Sequence, residues 1–207
     1  VGYIRQFLAL PQSGDWSAQG VGAQKLEELK REGVRVEFQQ VSYTYAGGQE
    51  PVLRNLDLTV RPGERLALIG LNGAGKTTLV KLLCGFYQPD RGRILLNGIP
   101  ASDFSREEYF ELISVLFQDA TLLPMTLDFN LTGVKPEDID RERLMWALQV
   151  SGFLEKYQSL PQKGESLLVR EVNGSVDFSG GEKQKLLFAR ALYKEAPLMI
   201  LDEHTAA

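Results

Sequence analysis

The stretch GLNGAGKTT, Gly70–Thr78, constrains this chain more than any other part of it. It fits the pattern G-x-x-x-x-G-K-[ST], and its setting is the one that pattern needs: the apolar run RLALIG (Arg65–Gly70) enters it and KTTLVKLLCGF leaves it. The setting predicts a buried strand, a loop and a helix with one apolar face. Such a loop wraps a polyphosphate with its backbone N–H groups turned inward, and glycines permit the dihedral angles and the close approach. The helix start adds partial positive charge. Gly70, Leu71, Asn72, Gly73, Ala74 and Gly75 form the expected cradle, with Lys76, Thr77 and Thr78 closing it. Lys76 supplies a full charge to the β- and γ-phosphates, and the Thr77 hydroxyl is a hard oxygen suited to Mg²⁺. A Gly-rich turn before an amphipathic helix is the bland alternative, and the complete pattern in context outweighs it. By itself the loop specifies a nucleotide-phosphate site and leaves kinases, GTPases and ATPases open.

Around this loop the sequence is that of a globular protein. VRVEFQQVSYTY (Val34–Tyr45) and VLRNLDLTV read as strands, RGRILLNG and ISVLFQD as further strands, and SREEYFELI as a helix. Near Ala120 the texture changes: strand signals fade and ERLMWALQVSGFLEKY has helical spacing, which marks a helical insertion. SGGEKQKLLFARALYK is a strong helix pattern, and APLMILDE a buried strand ending in two acids. At the other end, VGYIRQFLALP is a helix end or docking tail, PQSGDWSAQGVGAQ a linker, and KLEELKREG a charged segment before the first strand. The net charge of -4 argues against a nucleic-acid partner. Cys84 is the only cysteine, so no intramolecular disulfide forms within the sequence. No apolar run reaches the roughly 18 residues of a membrane span, and no signal peptide is recognisable at the start.

The acids that end LMILDE carry the second half of the chemistry. In phosphate-loop enzymes an acid at such a strand tip completes the Mg²⁺ site. Adjacent side chains on a strand point in opposite directions. Asp202 is therefore expected to hold the metal through a water, and Glu203 to face the γ-phosphate and polarise the attacking water as general base.

The segment FSGGEKQKLLFARAL (Phe178–Leu192) decides the family: it resembles the signature of ATP-binding cassette (ABC) proteins, usually LSGGQ or LSGGE. Physically, Ser179, Gly180, Gly181 and Glu182 open a helix whose N–H groups are free to meet a phosphate. The resemblance implies that this signature faces the γ-phosphate held by a second nucleotide-binding domain, so that ATP is sandwiched in a head-to-tail dimer. It covers about Val34 to Ala207 and implies an α/β fold: a P-loop NTPase core with a mostly parallel sheet, an antiparallel β subdomain and an inserted α-helical subdomain at about 120–190. Gln118 in VLFQD resembles the glutamine that reaches Mg²⁺ and the attacking water and links core to helical part. Tyr45 resembles the aromatic that stacks on adenine, with Tyr43 the second choice. Glu203, Gln118 and Lys76 are thus the expected catalytic residues, Thr77, Gln118 and Asp202 the metal ligands, and ATP and Mg²⁺ the bound groups.

MTLDFNLTG resembles the T-I-x-x-N-I pattern of exporter-type cassettes, ALQVSGFLEKYQSLPQKGESLL their helical subdomain, and residues 1–33 the link from a membrane domain. The expected partners are therefore the transmembrane domain of the same transporter and a second cassette, at the cytoplasmic face of the cell membrane. The alternatives are a soluble cassette ATPase of translation or DNA maintenance and a small-molecule kinase. The first usually carries paired cassettes or basic tracts, not visible here, and the second has no use for the signature or Gln118. Three departures stand out. Phe178 replaces the usual leucine, an apolar swap expected to matter little. His204, the only histidine, takes a position usually Pro or Ala and reads as an exposed loop residue. The sequence stops at His204-Thr205-Ala206-Ala207, where the resemblance expects a further loop, a strand and a histidine, so an incomplete sheet with an exposed edge is expected.

Overall fold

The computed structural model describes residues 19–71, 73–117, 120–168 and 178–202. They fall into two compact units that divide between Ile113 and Ser114.

The first unit opens with helix α1, Ala23–Glu32, inside the stretch expected to be linker and charged segment. Its charges hide a short apolar stripe: Leu26 and Leu29, three apart, are buried, while lysines and glutamates cover the rest. The chain before α1 is tied down by Glu108, whose carboxylate accepts the Val21 and Gly22 N–H groups, both at 2.8 Å. The two expected strands β1 (Val36–Tyr43) and β2 (Leu53–Val60) form an antiparallel pair, in the register Val36 to Val60 and Phe38 to Leu58. Val36, Phe38, Val41 and Tyr43 are buried. The jump from Phe38 to Val41 marks a bulge, where Gln40 takes a left-handed φ of 51° and its N–H donates to Asp57 Oδ1. The sheet continues through β3 (Arg91–Leu96) to β4 (Ile99–Pro100), in the order β2-β1-β3-β4. Helix α2 (Lys76–Leu83) follows the glycine loop. Helix α3 (Arg106–Glu111) starts with a capping box between Ser105 and Glu108. Buried Tyr109 donates to the Leu83 carbonyl at 2.6 Å, joining α3 to the end of α2.

One expectation fails in this unit. Arg65–Gly70 forms no strand and is exposed throughout; Ile69 is 95% and Leu71 85% accessible. The apolar run encodes a demand for burial, but a central strand also needs ladder partners on its flanks. Among the described residues the four-stranded sheet ends at β2 and β4 and takes no further strand at either edge.

The second unit begins inside β5 (Ile113–Leu116), which neighbours β6 (Leu198–Leu201), and the Asp202 N–H donates to the Leu116 carbonyl at 3.0 Å. Strand β6, expected to be buried, buries only Ile200, while Leu201 is half exposed. It has one strand neighbour among the described residues, so one flank of its apolar run lacks cover. Between these strands lie α4 (Leu127–Thr132), α5 (Arg141–Ser151), α6 (Leu154–Ser159) and α7 (Gly180–Tyr193). Leu144, Ala147, Leu148 and Ser151 are buried along one face of α5, at helical spacing. Leu144, Ala147 and Leu148 join Leu127, Leu131, Phe153, Tyr157 and, from α7, Leu186, Ala189 and Tyr193 in one core. Leu187 and Ala191 of α7 pack with Leu116 of β5 instead. The signature helix is thus fixed by apolar contacts on two sides, each fully buried leucine contributing roughly 1.5–3 kcal/mol.

Candidate functional site

The glycine loop has the backbone that its sequence requires. Ala74 N–H closes a turn onto the Leu71 carbonyl at 3.1 Å. Gly75 caps α2 in the left-handed region, with φ 88° and ψ 4°. A side chain there would be strained, and its Cβ would stand 2.8 Å from Leu53 Cδ2. Lys76 Nζ arches back over the loop, donating to the carbonyls of Gly70 (2.7 Å) and Leu71 (3.1 Å). The ammonium is therefore held at the loop, close to where the helix start collects its partial charge. Thr77 is exposed on the first turn of α2, whereas Thr78 is buried. The two threonines have different environments: Thr77 is exposed to solvent, and Thr78 Oγ1 lies 2.9 Å from Tyr45 Oη. Tyr45 packs edge-on against Tyr43 and Tyr87, with centroids 5.2 and 5.6 Å away. It is thus joined to the loop's helix by a hydrogen bond, and Tyr43 is the buried member of the pair. A small cleft of about 160 Å³ in the same unit is lined by Leu82, Tyr87, Arg93 and Tyr109, among others, and by none of the residues singled out from the sequence.

In the second unit the signature forms a complete helix start. Ser179 Oγ accepts the Glu182 N–H at 3.4 Å, and Glu182 Oε2 accepts the Ser179 N–H at 2.9 Å. This capping box leaves Ser179, Gly180 and Gly181 exposed. The other carboxylate oxygen of Glu182 pairs with Lys156 of α6 at 3.0 Å. The Ser179 N–H, then Lys156, hold the Glu182 carboxyl below the usual carboxylate range. Phe178 does more than substitute for leucine. Its ring meets Phe153 edge-on at 5.4 Å, and the Lys156 ammonium stands 5.9 Å from its centroid.

Apart from their chain neighbours and the backbone of their own helix, no described atom lies within 4 Å of where a Cβ would stand on Gly180 or Gly181. Glycine costs about 1 kcal/mol relative to alanine in a helix interior, and Gly180 and Gly181 stand in the first turn of theirs. Packing among the described residues gives no reason for two of them in succession. They leave room for something that approaches the helix start from outside.

Asp202 follows β6 and is half-buried. Asn72, Gln118, Glu203 and His204 lie outside the described residues. The segment after Gln118 shows an organiser that its pattern alone did not explain. Asn130, 1% exposed, accepts the Leu123 N–H at 2.7 Å and donates to the carbonyls of Leu123 and Thr126, both at 3.0 Å. Its place in MTLDFNLTG hinted at it; Lys156 had no signal, since a pair 26 positions apart follows no period. Among the described residues no helix is long and apolar enough to cross a membrane.

A glycine loop that opens one helix, a capped Ser-Gly-Gly start that opens another, and then an acid-tipped strand is the chain order of a nucleotide-binding cassette. The ABC transporter family matches residues 53–206. The chain is 39% identical over 173 residues to an ATP-dependent lipid A-core flippase of Chromobacterium violaceum, covering 84% of this chain and 29% of that protein. It is 35% identical to the colicin V secretion/processing ATP-binding protein CvaB of Escherichia coli, over 84% of this chain and 24% of the relative. It is 37% identical to the ABC multidrug transporter atrD of Emericella nidulans, over 99% of this chain and 15% of the relative. Among solved structures, a bacterial Atm1-family ABC exporter with ATP bound superposes with a TM-score of 0.81 at 26% identity, covering all of this chain and 34% of that one. The chain belongs to the ABC transporter family, as a nucleotide-binding domain of the exporter type. It spans less than a third of the length of these curated relatives.

Proposed function

We propose that this chain binds and hydrolyses ATP to power export across a membrane, and that its nucleotide site is completed by the signature of a second cassette. The observation that carries this reading is the open pair Gly180–Gly181 on a capped helix start. A site whose glycines answer to nothing described in their own chain fits a ligand brought by another.

In this reading residues 34–207 are the cassette, with its helical subdomain at about 120–190, and residues 1–33 lead to a membrane domain. The loop Gly70–Thr78 holds the phosphates of ATP through its N–H groups, and Lys76 leaves its own carbonyls to meet the β- and γ-oxygens. The Tyr45 ring stacks on the adenine. The exposed Thr77 hydroxyl and the carboxylate of Asp202, with Gln118, are hard oxygens that fit Mg²⁺. Bound there, the metal would neutralise charge on the phosphate oxygens. Glu203 takes the proton of the attacking water. Ser179 turns its hydroxyl, and Gly180 and Gly181 their N–H groups, to the γ-phosphate held by the partner cassette, so two cassettes close head to tail on ATP and reopen after hydrolysis. That motion is passed to the transmembrane domain of the same transporter, at the cytoplasmic face of the cell membrane. The relatives, a flippase, a secretion protein and a multidrug transporter by name, support the outward direction.

The test is Glu203→Gln in the full-length protein. It should keep ATP binding and trap a closed dimer while turnover is lost. Undiminished ATPase in that variant would remove Glu203 from the role of base.

A further inference from the structure

The signature of this chain carries a charge that its proposed task does not favour. Glu182 is anionic and caps the helix start that the partner's γ-phosphate must approach. A glutamine would make the same capping box without repelling a phosphate. The structure contains a compensation. Glu182 is held at both oxygens, one by the Ser179 N–H and the other by Lys156. The Lys156 and Glu182 side chains are 33% and 30% exposed, so neither is a loose surface chain. Lys156 is itself seated: its ammonium stands near the face of Phe178, and that ring is braced by Phe153 immediately before α6. The departure at the signature, Phe178, and the charged Glu182 therefore meet at one lysine.

We infer that Lys156 is a positioning residue for the ATPase reaction: it fixes Glu182 in the cap and cancels its charge, keeping the Gly180 and Gly181 N–H groups receptive to the partner's nucleotide. Lys156 does not touch the phosphate itself. Its effect passes through Glu182, and that dependence separates it from a direct ligand or a general stabiliser. The inference rests on the proposed reading of the signature as a phosphate-facing surface.

The experiment uses the full-length protein with MgATP and compares Lys156→Gln, Lys156→Arg, Glu182→Gln and the double variant Lys156→Gln/Glu182→Gln. ATPase kinetics, ATP-driven dimer closure and thermal unfolding are read for each. Lys156→Gln should raise KM and the ATP concentration for half-closure about tenfold, the order expected for one uncompensated charge near a phosphate, with kcat changed less than threefold. Lys156→Arg should restore both to within about twofold of the parent, since the cation is kept. In the Glu182→Gln background the loss of Lys156 should change closure by less than about twofold, because no charge is left to cancel. An equal penalty in both backgrounds would overturn the inference, and so would unchanged closure in Lys156→Gln. Ser179→Phe serves as the control for the underlying reading. If it too leaves closure intact, the signature reading has failed; if it blocks closure while Lys156→Gln does not, only the present inference has.

Discussion

Asp128→Ala should destabilise the second unit by about 3 kcal/mol, and the structure says how that figure divides. The Asp128 side chain is 10% exposed and accepts the Tyr157 hydroxyl at 2.9 Å and Arg141 Nη1 at 2.5 Å. Gly164 lies directly against the carboxylate, so close that a Cβ there would overlap it. Losing the buried hydroxyl–carboxylate bond costs roughly 1.5–3 kcal/mol, since a charged acceptor is removed and a buried hydroxyl left unpaired. The Arg141 side chain is 57% exposed, so solvent screens its ion pair to under about 1 kcal/mol. Tyr157→Phe alone should cost about 1–2 kcal/mol, because Asp128 keeps Arg141. The double variant should fall short of the sum by about 1–2 kcal/mol, since the two residues share one bond. The assay is equilibrium urea unfolding followed by Trp146 fluorescence; Trp146 sits on α5, the helix that Arg141 opens. A loss under about 0.5 kcal/mol for Asp128→Ala, or strict additivity, would show that this carboxylate does not organise the helices.

Lys76→Ala should weaken ATP binding roughly 10–100-fold, the worth of a charge-assisted phosphate contact, and equilibrium nucleotide binding checks it. Tyr45→Ala should cost about tenfold in ATP affinity through lost stacking, while Tyr45→Phe, which loses only the bond to Thr78, should stay within about threefold. Tyr157 is pushed up to about 12 from its ordinary 10.0 by burial first and by its bond to Asp128 second. Its folded value is raised, so its contribution is fully present below about pH 10 and fades as pH rises towards 12. The gap in urea midpoint between parent and Tyr157→Phe should therefore narrow between pH 9 and pH 11.5; a gap that stays constant would contradict the assignment.

The local elements were written plainly in the sequence because each rests on a short-range rule. Ser105 and Glu108 spell a capping box, as Ser179 and Glu182 do, and both form. The alternation of Val34–Tyr45 sets β1, since register follows the buried face. Helix α1 was hidden because only Leu26 and Leu29 mark its buried side among many charges. Arg65–Gly70 failed as a strand for the opposite reason: its apolarity is local, whereas its ladder partners are not. The site divides the same way. Glycines and Lys76 are readable from loop chemistry, and the signature from its capped start. The Tyr45–Thr78 bond and the Lys156–Glu182 pair are products of packing, joining positions that no period connects.

The central claim is that each ATP is held between the glycine loop of one cassette and the signature of another. Two variants of the full-length protein test it directly: Lys76→Ala, which spoils the loop, and Ser179→Phe, which spoils the signature. Neither should occlude ATP in dimers of its own kind. Mixed, they should recover one occluded ATP per dimer, formed by the intact loop of the Ser179→Phe chain and the intact signature of the Lys76→Ala chain. A mixture that occludes no more ATP than its parents would contradict the shared site.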